Sequence, residues 1–316
     1  MNTFSLVLLL LVGLFALMNA LAICQAWRMT HFVEAGHPLE DPEEFTFLQR
    51  LWVLLTGLRV IRKRNEITPA DERLPFRRVF MPLQGDGWIE CWSIPRTRAR
   101  GIVVLFHGYA DKKENLIPEA KVFREFGFHC LLVDFPGAGG SSGRTMPIAH
   151  RDARDVARRK YPRVPCILFG KSMGATSIIH AVARLGVRAD GLVLECPFDS
   201  LLNAIKNRLR ILNVPPVPFA QLVLFWAEAI ERFPGLSFRP AEDARLVRVP
   251  TLLFYGAQDR LVTPEQSDHV FRSLAGDKWE VSFPESAHTR YLGDNERRWR
   301  VAVREHLDRV CGEGRA

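Results

Sequence analysis

Short apolar runs separated by longer polar or amphipathic stretches recur through most of the chain. Runs that do not alternate between apolar and polar residues are typical of strands covered on both faces. Such runs occupy residues 102–106, 130–133, 167–169, 192–194 and 252–255. Helical patterns lie between them, and this alternation predicts an α/β fold with a mostly parallel central sheet and helices on both faces.

The two ends of this pattern carry additional elements. Two strands are predicted at residues 77–83 and 88–94, on either side of Gln84-Gly85-Asp86-Gly87, which is a hairpin signal. Another short strand is predicted at residues 279–284. A last helix is predicted over residues 296–310, and we expect its apolar stripe to pack against the sheet. That stripe consists of Trp299, Val303, Leu307 and Val310.

The amino-terminal residues 1–27 form a segment of their own, because residues 4–23 are almost wholly apolar and no charged side chain precedes Arg28. Twenty helical residues rise about 30 Å, enough to cross the hydrocarbon core of a bilayer. The alternatives to a transmembrane anchor are a cleaved signal peptide and a buried core helix. The absence of an initial Lys or Arg argues against a signal peptide, although Ala20-Leu21-Ala22 resembles a cleavage site. We therefore expect a single-pass anchor.

Residues 28–75 are expected to hold an amphipathic helix and a linker. Asp41 is a plausible N-cap, followed by Pro42 in the first turn. Apolar residues follow at helical spacing, with basic residues on the remainder of the helix. The apolar positions are Phe47, Leu51, Leu54, Leu58 and Ile61. Such a helix either lies on a membrane surface or packs on the catalytic core, since amphipathicity shows only that one face is buried.

Residues 76–316 are expected to form the catalytic domain, with a cap inserted at residues 198–248. The connection between the strands at 192–194 and 252–255 is too long for a simple crossover. Its central part, from Phe219 to Phe233, is nearly all apolar and includes Phe225 and Trp226. The cap could bind acyl chains or dip into a bilayer, or its helix could simply be buried between neighbours.

A candidate nucleophile lies in the sequence Gly170-Lys171-Ser172-Met173-Gly174, directly after a predicted strand. A G-x-S-x-G sequence at this point forms a sharp turn from strand to helix, and Gly170 and Gly174 leave room for the crossing backbone. A serine at such a turn is exposed for attack on a carbonyl. Ser172 is therefore the predicted nucleophile.

An acid and a base follow Ser172 along the chain, in the order serine, acid and histidine that accompanies a G-x-S-x-G turn. A serine nucleophile needs a base, and the base needs a carboxylate that orients it. Asp259 comes just past the predicted strand at 252–255, and His288 lies in the loop after the strand at 279–284. Alone, either residue would be ordinary in a loop. Their agreement in order and context predicts the triad Ser172, Asp259 and His288.

A loop after the strand at 102–106 supplies the remaining part of an acyl-transfer site. The developing oxyanion requires two backbone N–H groups. We expect them from Tyr109 in this loop and from Met173 after the nucleophile. Gly108 is expected to supply the backbone freedom that turns an amide inward. His107 precedes the serine and lies at a strand end, so we expect it to shape the loop.

These motifs resemble those of the α/β-hydrolase superfamily, in particular its membrane-associated monoacylglycerol-lipase, serine-aminopeptidase and BEM46-like group. The resemblance also includes Asp134-Phe135-Pro136-Gly137-Ala138-Gly139-Gly140-Ser141-Ser142-Gly143 and covers residues from about Arg77 to Val310. It implies an α/β-hydrolase fold and a serine hydrolase that needs no cofactor. Some relatives carry the triad acid within the segment that corresponds to residues 195–199, so Glu195 and Asp199 are the alternative positions.

Composition narrows the partners further. The net charge of +8 comes mainly from scattered arginines rather than from a basic groove, so we expect an anionic membrane surface as partner and no nucleic acid. The six cysteines show no metal-ligand spacing, so no metal site is predicted, and three of them in or beside central strands favour a reducing compartment. The position of Arg28 behind the anchor favours a cytoplasmic catalytic domain. Oligomeric state is not predicted.

The sequence therefore predicts a membrane-tethered serine hydrolase that cleaves a lipophilic carboxylic ester. Two other enzymes would use the same triad. One is an aminopeptidase or amidase, for which Glu195 or Asp199 could bind a free amine, and the other is an acyltransferase. A non-enzymatic membrane scaffold should have lost part of the triad or the elbow glycines, and all are present.

Overall fold

The computed structural model describes residues 2–34, 45–83, 87–145 and 164–312. The chain divides into two compact units. One unit contains residues 1–61 and 201–238, and the other contains residues 62–200 and 239–316. The predicted cap is therefore split at residue 239, since residues 239–248 belong with the sheet and residues 201–238 belong with the amino-terminal segment.

The second unit is built on an eight-stranded sheet with the order β1-β2-β4-β3-β5-β6-β7-β8. The strands β1 and β2 pair antiparallel, β2 pairs antiparallel with β4, and every later pairing is parallel. The strands are β1 (Arg77–Pro82), β2 (Trp88–Ile94), β3 (Gly101–Phe106), β4 (Phe128–Val133), β5 (Cys166–Lys171), β6 (Gly191–Glu195), β7 (Thr251–Gly256) and β8 (Lys278–Phe283). The sequence predicts each of these strands, and the predicted ends differ from the observed ones by at most two residues.

Helices cover both faces of this sheet. One face packs against α4 (Met173–Arg184), α7 (Pro240–Ala244) and α8 (Pro264–Ser273), all of which contribute to one apolar core. The other face carries α3 (Ile117–Glu125) and α10 (Glu296–Cys311), with the short α9 (Tyr291–Asp294) before it. The ring of Trp299 in α10 lies 5.6 Å from that of Phe123 in α3. The mostly parallel sheet between two helical layers confirms the predicted fold class.

The first unit is entirely helical in its regular elements, which are α1 (Thr3–Thr30), α2 (Phe47–Thr56), α5 (Leu201–Ile211) and α6 (Phe219–Glu231). Ala22 and Ala26 of α1 are fully buried against Phe219 and Val223 of α6. Small side chains on one helix let the backbones approach closely. A hydrogen bond from Trp226 Nε1 to Asn19 Oδ1 (3.0 Å) also joins α6 to α1.

The helix α1 is long and apolar enough to cross a membrane, with a mean hydropathy of 2.8 over its most apolar window. Only 6% of that window is buried, so over this stretch α1 is not a core helix of the chain. Its side chains are exposed on all sides from Leu6 to Leu17, and from Ala22 onward one face, formed by Ala22, Gln25 and Ala26, is buried.

The predicted helix after Asp41 is shorter than expected. Asp41 and Pro42 lie outside the described residues. The helix α2 begins after Thr46, whose side chain forms a capping box with Gln49, and it ends at Thr56. The expectation that it continues to Ile61 is wrong, because Gly57 with φ 80° ends the helix. The predicted turn at residues 84–86 also lies outside the described residues.

Candidate active site

Ser172 occupies the strained turn that its sequence context predicts. It lies between β5 and α4 with φ 51° and ψ −113°, a conformation that non-glycine residues rarely adopt. A Cβ added to Gly170 would lie 2.6 Å from the carbonyl carbon of Gly174, and one added to Gly174 would lie 2.5 Å from the Phe106 carbonyl oxygen. Both positions therefore require glycine. The strain at Ser172 costs on the order of 1–3 kcal/mol, which the surrounding turn must offset.

Backbone contacts hold this turn at the carboxyl edge of the sheet. The Ser172 N–H donates to the Glu195 carbonyl at the end of β6 (2.8 Å). Met173 is the first residue of α4 and is buried in the core. Its amide is therefore one of the unpaired N–H groups at a helix N-terminus, which carry a positive partial charge. This is the position that an oxyanion donor needs.

The loop after β3 lies beside the serine. A Cβ added to Gly108 would come 3.6 Å from the Ser172 Cβ, which is an ordinary contact distance. The expectation that Gly108 supplies an unusual backbone conformation is wrong, because its φ lies outside the left-handed region. The left-handed residue of this loop is Ala110, with φ 54°. Tyr109 lies between these two residues and is half-buried against the core.

His107 is fully buried, and both of its ring nitrogens are used by the backbone. Its Nε2 accepts a hydrogen bond from the Phe135 N–H (3.1 Å), so the proton lies on Nδ1, which donates to the Gly108 carbonyl (2.7 Å). This imidazole is therefore neutral and joins the loop after β3 to the loop after β4. Its contacts are those of a residue that shapes a loop.

A buried ion pair holds the far end of the same loop. The Lys113 ammonium is fully buried and pairs with Asp134, while the Lys113 N–H donates to Asp134 Oδ1 (2.7 Å). Asp134 Oδ2 also accepts from the Gly140 N–H (2.9 Å), and the ammonium lies 4.3 Å from the centre of the Trp92 ring. Burial raises the pKa of Asp134, but its interactions with Lys113 outweigh this effect and lower that pKa overall.

The sequence did not identify this buried pair as part of the site. Asp134 entered the analysis only within the motif at residues 134–143, and Lys113 had no distinguishing context. A lysine is almost never fully buried unless it is paired. The pair can therefore be found only once the fold brings the 3-10 helix at Lys113–Leu116 against the end of β4.

Asp259 and His288 form the acid–base pair of the site. The His288 Nδ1 lies 2.7 Å from Asp259 Oδ2. The other oxygen of this buried carboxylate accepts from the N–H groups of Leu261 (2.9 Å) and Val262 (2.8 Å). These donors fix the orientation of the carboxylate. A Cβ at Gly256 would overlap the Ser286 carbonyl oxygen, so this glycine lets the histidine loop approach the end of β7.

Hydrogen bonds therefore connect only two members of the predicted triad, Asp259 and His288. Among the described residues, His288 has a hydrogen bond to Asp259 and none to the Ser172 hydroxyl. Ser172 follows β5, Asp259 follows β7 and His288 follows β8, so all three lie at the carboxyl edge of the parallel part of the sheet. Catalytic hydrogen bonds are often long before substrate binds and tighten in the complex. The arrangement is compatible with a base that reaches the serine in that complex.

Cys196 is a further residue of this site, and the sequence suggested only a small buried side chain for it. It follows β6, the strand between those that end near Ser172 and Asp259. Three atoms lie within 4.8 Å of one another here: the Cys196 sulfur, a carboxylate oxygen of Asp259 and a ring nitrogen of His288. Burial lowers the pKa of His288, but interactions with Cys196 and Asp259 outweigh it and raise that pKa to about 10. These three side chains are the candidate metal ligands here, although His288 and Asp259 already bind each other.

The alternative acids have other partners. Glu195 is fully buried, and its Oε1 accepts from Trp299 Nε1 (2.7 Å). Burial raises the pKa of Glu195. Asp199 accepts from Gln266 Nε2 (3.0 Å) and lies 3.4 Å from His269 Nδ1, so it is bound to α8. Neither carboxylate contacts His288, which is paired with Asp259.

The histidine loop is also tied to the opposite helical layer. Arg290, two residues after His288, donates to the Asn115 carbonyl (2.9 Å) and lies 3.4 Å from the Glu119 carboxylate. Burial, reinforced by nearby Glu195, raises the pKa of Glu119 to about 7. These contacts fix the backbone that presents His288.

Comparisons with known proteins agree with this fold. The chain matches the protein family described as "Serine aminopeptidase, S33" over residues 97–229. It is 28% identical to human Protein ABHD12B over 191 residues, which covers 57% of this chain and 52% of that protein. It is 24% identical to the monoacylglycerol lipase of Mycolicibacterium smegmatis, covering 55% of this chain and 75% of that protein. The Pyrococcus furiosus esterase PF2001 has a TM-score of 0.65 at 19% identity, over 79% of this chain and 97% of that one.

These similarities differ in what they cover. The family match contains Ser172 and the loop of Tyr109, whereas Asp259 and His288 lie beyond residue 229. The chain spans about half the length of ABHD12B. At 19% identity, the likeness to the esterase shows a shared fold. The individual roles of the site residues therefore depend on the geometry described above.

Proposed function

We propose that this chain is a serine hydrolase of the α/β-hydrolase superfamily that cleaves a lipophilic carboxylic ester while α1 anchors it to a membrane. The observation that carries the proposal is a strained serine at the same sheet edge as a buried Asp–His pair (2.7 Å). Strain at a non-glycine residue persists where a site depends on it. An ordinary glycine-flanked turn would explain neither the strain nor the pair.

In the proposed reaction the Ser172 hydroxyl attacks the ester carbonyl, and His288 takes its proton. Asp259 orients the imidazole and stabilises the imidazolium. The amides of Met173 and Tyr109 bind the oxyanion. When the tetrahedral intermediate collapses, the carbon–oxygen bond to the alcohol breaks and His288 protonates that alcohol. Water then attacks the acyl-enzyme in the same way, which releases the acid and restores Ser172.

An ester is favoured over an aminoacyl amide by the partners of the two spare carboxylates. Recognition of a free amine would need an accessible acid near the serine. Glu195 is fully buried against Trp299, and Asp199 is bound to α8. Two relatives are named monoacylglycerol lipase and lysophosphatidylserine lipase, after lipids that carry a single acyl chain. We therefore propose a single-chain lipid ester as the substrate class.

Labelling with a fluorophosphonate tests the chemistry. The full chain in membranes should be labelled on Ser172, and Ser172→Ala should abolish labelling. Ser177, a buried serine of α4, offers a matched control because Ser177→Ala should remain labelled. Lack of labelling in the unaltered chain, or labelling that persists in Ser172→Ala, would refute the proposal. Turnover of an aminoacyl amide in preference to a p-nitrophenyl ester would move the assignment to the aminopeptidase.

A further inference from the structure

The short helix α2 presents a continuous apolar face that no other described residue covers. Phe47, Leu48 and Trp52 are 78%, 74% and 65% exposed, and Leu51 and Leu55 are also exposed. The only charged side chain of α2, Arg50, is turned inward, where it donates to the Phe45 carbonyl (2.9 Å) and the Ile211 carbonyl (2.8 Å). A charge-free apolar face of this size marks an interaction surface.

Polar side chains of α1 fix this orientation. Gln25 is buried and donates to the carbonyls of Val53 (2.6 Å) and Leu54 (3.0 Å), and the Cys24 thiol donates to the Thr56 carbonyl (3.1 Å). These are carbonyls of the last turn of α2, where partners from the same helix run out, and the Val53 carbonyl also accepts from the Gly57 N–H (2.8 Å). The carboxyl end of α2 is therefore held at the level of Cys24 and Gln25, with its apolar face outward.

This level coincides with the end of the apolar run of α1. The run at residues 4–23 is about 30 Å long as a helix, which matches the hydrocarbon thickness of a bilayer. The freely exposed part, residues 3–17, spans only about 22 Å at 1.5 Å per residue. A spanning α1 must therefore carry its packed part, with α2 attached, to the edge of the hydrocarbon core.

We propose that the apolar face of α2, formed by Phe47, Leu48, Leu51, Trp52 and Leu55, inserts into one leaflet of the bilayer as an interfacial helix. Interfacial helices lie about 5–10 Å into the boundary between headgroups and acyl chains. Aromatic residues are enriched at that depth. Lipid is the expected occupant because this face belongs to the same unit as α1, whose exposed apolar surface is long enough to cross a bilayer. The inference rests on the proposed anchor and is independent of the proposed chemistry.

Spin-label accessibility in the full chain tests this inference. Cys24→Ser and Cys311→Ser remove the two partly exposed thiols, and the other four cysteines are buried. A nitroxide is then attached at Trp52→Cys, or at Leu48→Cys should the first variant fold poorly, in phosphatidylcholine vesicles. The matched control is Val301→Cys, a 51% exposed apolar position of α10. We expect the labels on α2 to collide more with oxygen than with a water-soluble nickel complex, and the control label to show the reverse.

The outcomes separate this inference from the anchor itself. If alkaline carbonate leaves the chain in the membrane but the labels on α2 collide mainly with nickel, the face lies in water and the inference is wrong. Low accessibility to both probes, together with dipolar broadening between labels, would replace lipid by a second copy of the chain and overturn it as well. Release of the chain by carbonate would instead refute the anchor.

Discussion

Two histidines follow strands of the same sheet, and the difference in their surroundings distinguishes a structural role from a chemical one. His107, after β3, is fully buried and gives both ring nitrogens to backbone groups. His288, after β8, is partly exposed at its side chain, which pairs with a buried carboxylate. Backbone partners fix a neutral tautomer permanently, because they cannot accept a proton from the ring. A carboxylate partner instead stabilises the charged form, so His288 can gain and lose a proton.

The same contrast extends to the residues around each histidine. Near His107, the buried Lys113 and Asp134 neutralise each other and bind backbone groups. Near His288, Asp259 directs one oxygen to two backbone N–H groups and the other to the imidazole. A charge that is fully paired holds a loop in place, whereas a carboxylate aimed at a titratable ring can assist proton transfer.

The sharpest test exchanges the two histidines for glutamine one at a time. His288→Gln should lower kcat by about 10⁶, the loss found when a member of a triad that acts as a unit is removed. Its thermal stability should change little by comparison. Hydrolysis of a short p-nitrophenyl ester measures the rate. A variant that keeps a rate within tenfold of the unaltered chain would show that His288 is not the base.

A smaller loss is expected from the acid. Asp259→Asn keeps the shape of the side chain but favours the wrong imidazole tautomer, so kcat should fall by about 10⁴. Asp199→Asn is the matched control, because Asp199 is also a loop carboxylate but binds Gln266. Steady-state rates of both variants on the same ester decide the question. A collapse for Asp199→Asn alone would move the acid to the end of β6.

His107→Gln should have a smaller effect on rate and a clear effect on stability. A glutamine amide cannot join the Phe135 N–H and the Gly108 carbonyl in the same geometry, so buried backbone groups lose partners at a cost of about 1–3 kcal/mol each. The displaced loop should weaken the oxyanion contact of Tyr109 and lower kcat by at most about 10³. Urea unfolding and ester hydrolysis measure the two effects. A loss equal to that of His288→Gln would contradict the division between the two histidines.

The sequence was sufficient for much of this site, for identifiable physical reasons. Apolar runs marked the strands because parallel strands are buried on both faces, and small residues marked the elbow of Ser172. Ser172, Asp259 and His288 could be selected from their order along the chain and from their positions after predicted strands. The sequence did not show which strands are neighbours in the sheet. Cys196 approaches His288 only because β6 lies between β5 and β7, an order that apolar runs do not encode.

Two local expectations failed for related reasons. Leu58 and Ile61 have the spacing of a helix that continues past Thr56, but Gly57 ends it where the α1 side chains bind its last carbonyls. Gly108 looked like a glycine needed for its φ, whereas the left-handed conformation falls on Ala110. Similarly, the apolar pattern of α6 did not reveal that Trp226 binds Asn19. The contacts of α1 with the end of α2 and with Trp226 join residues that are distant in sequence, so a local pattern does not contain them.

The smallest expected effect concerns pH and tests whether Cys196 belongs to the His288 region. Because the pKa of His288 is raised to about 10, the neutral base becomes available only as pH rises, so activity should increase toward alkaline pH. Its raised pKa also stabilises the fold fully below about pH 6.5, and that contribution is lost as pH rises through about 10. Cys196→Ala removes one of the interactions that raise the pKa, so the rising limb of the pH–rate profile should move to lower pH.

Cys130→Ala is the matched control for that shift, because Cys130 is an equally buried thiol whose Sγ donates to the Ala120 carbonyl (3.3 Å) in another part of the sheet unit. Both variants lose a sulfur from the core and should unfold at somewhat lower urea concentrations. Only Cys196→Ala should displace the pH–rate profile, since only its sulfur lies beside the imidazole. An identical profile in the two variants would mean that the sulfur near His288 merely fills space, and His288 would then differ from His107 through Asp259 alone.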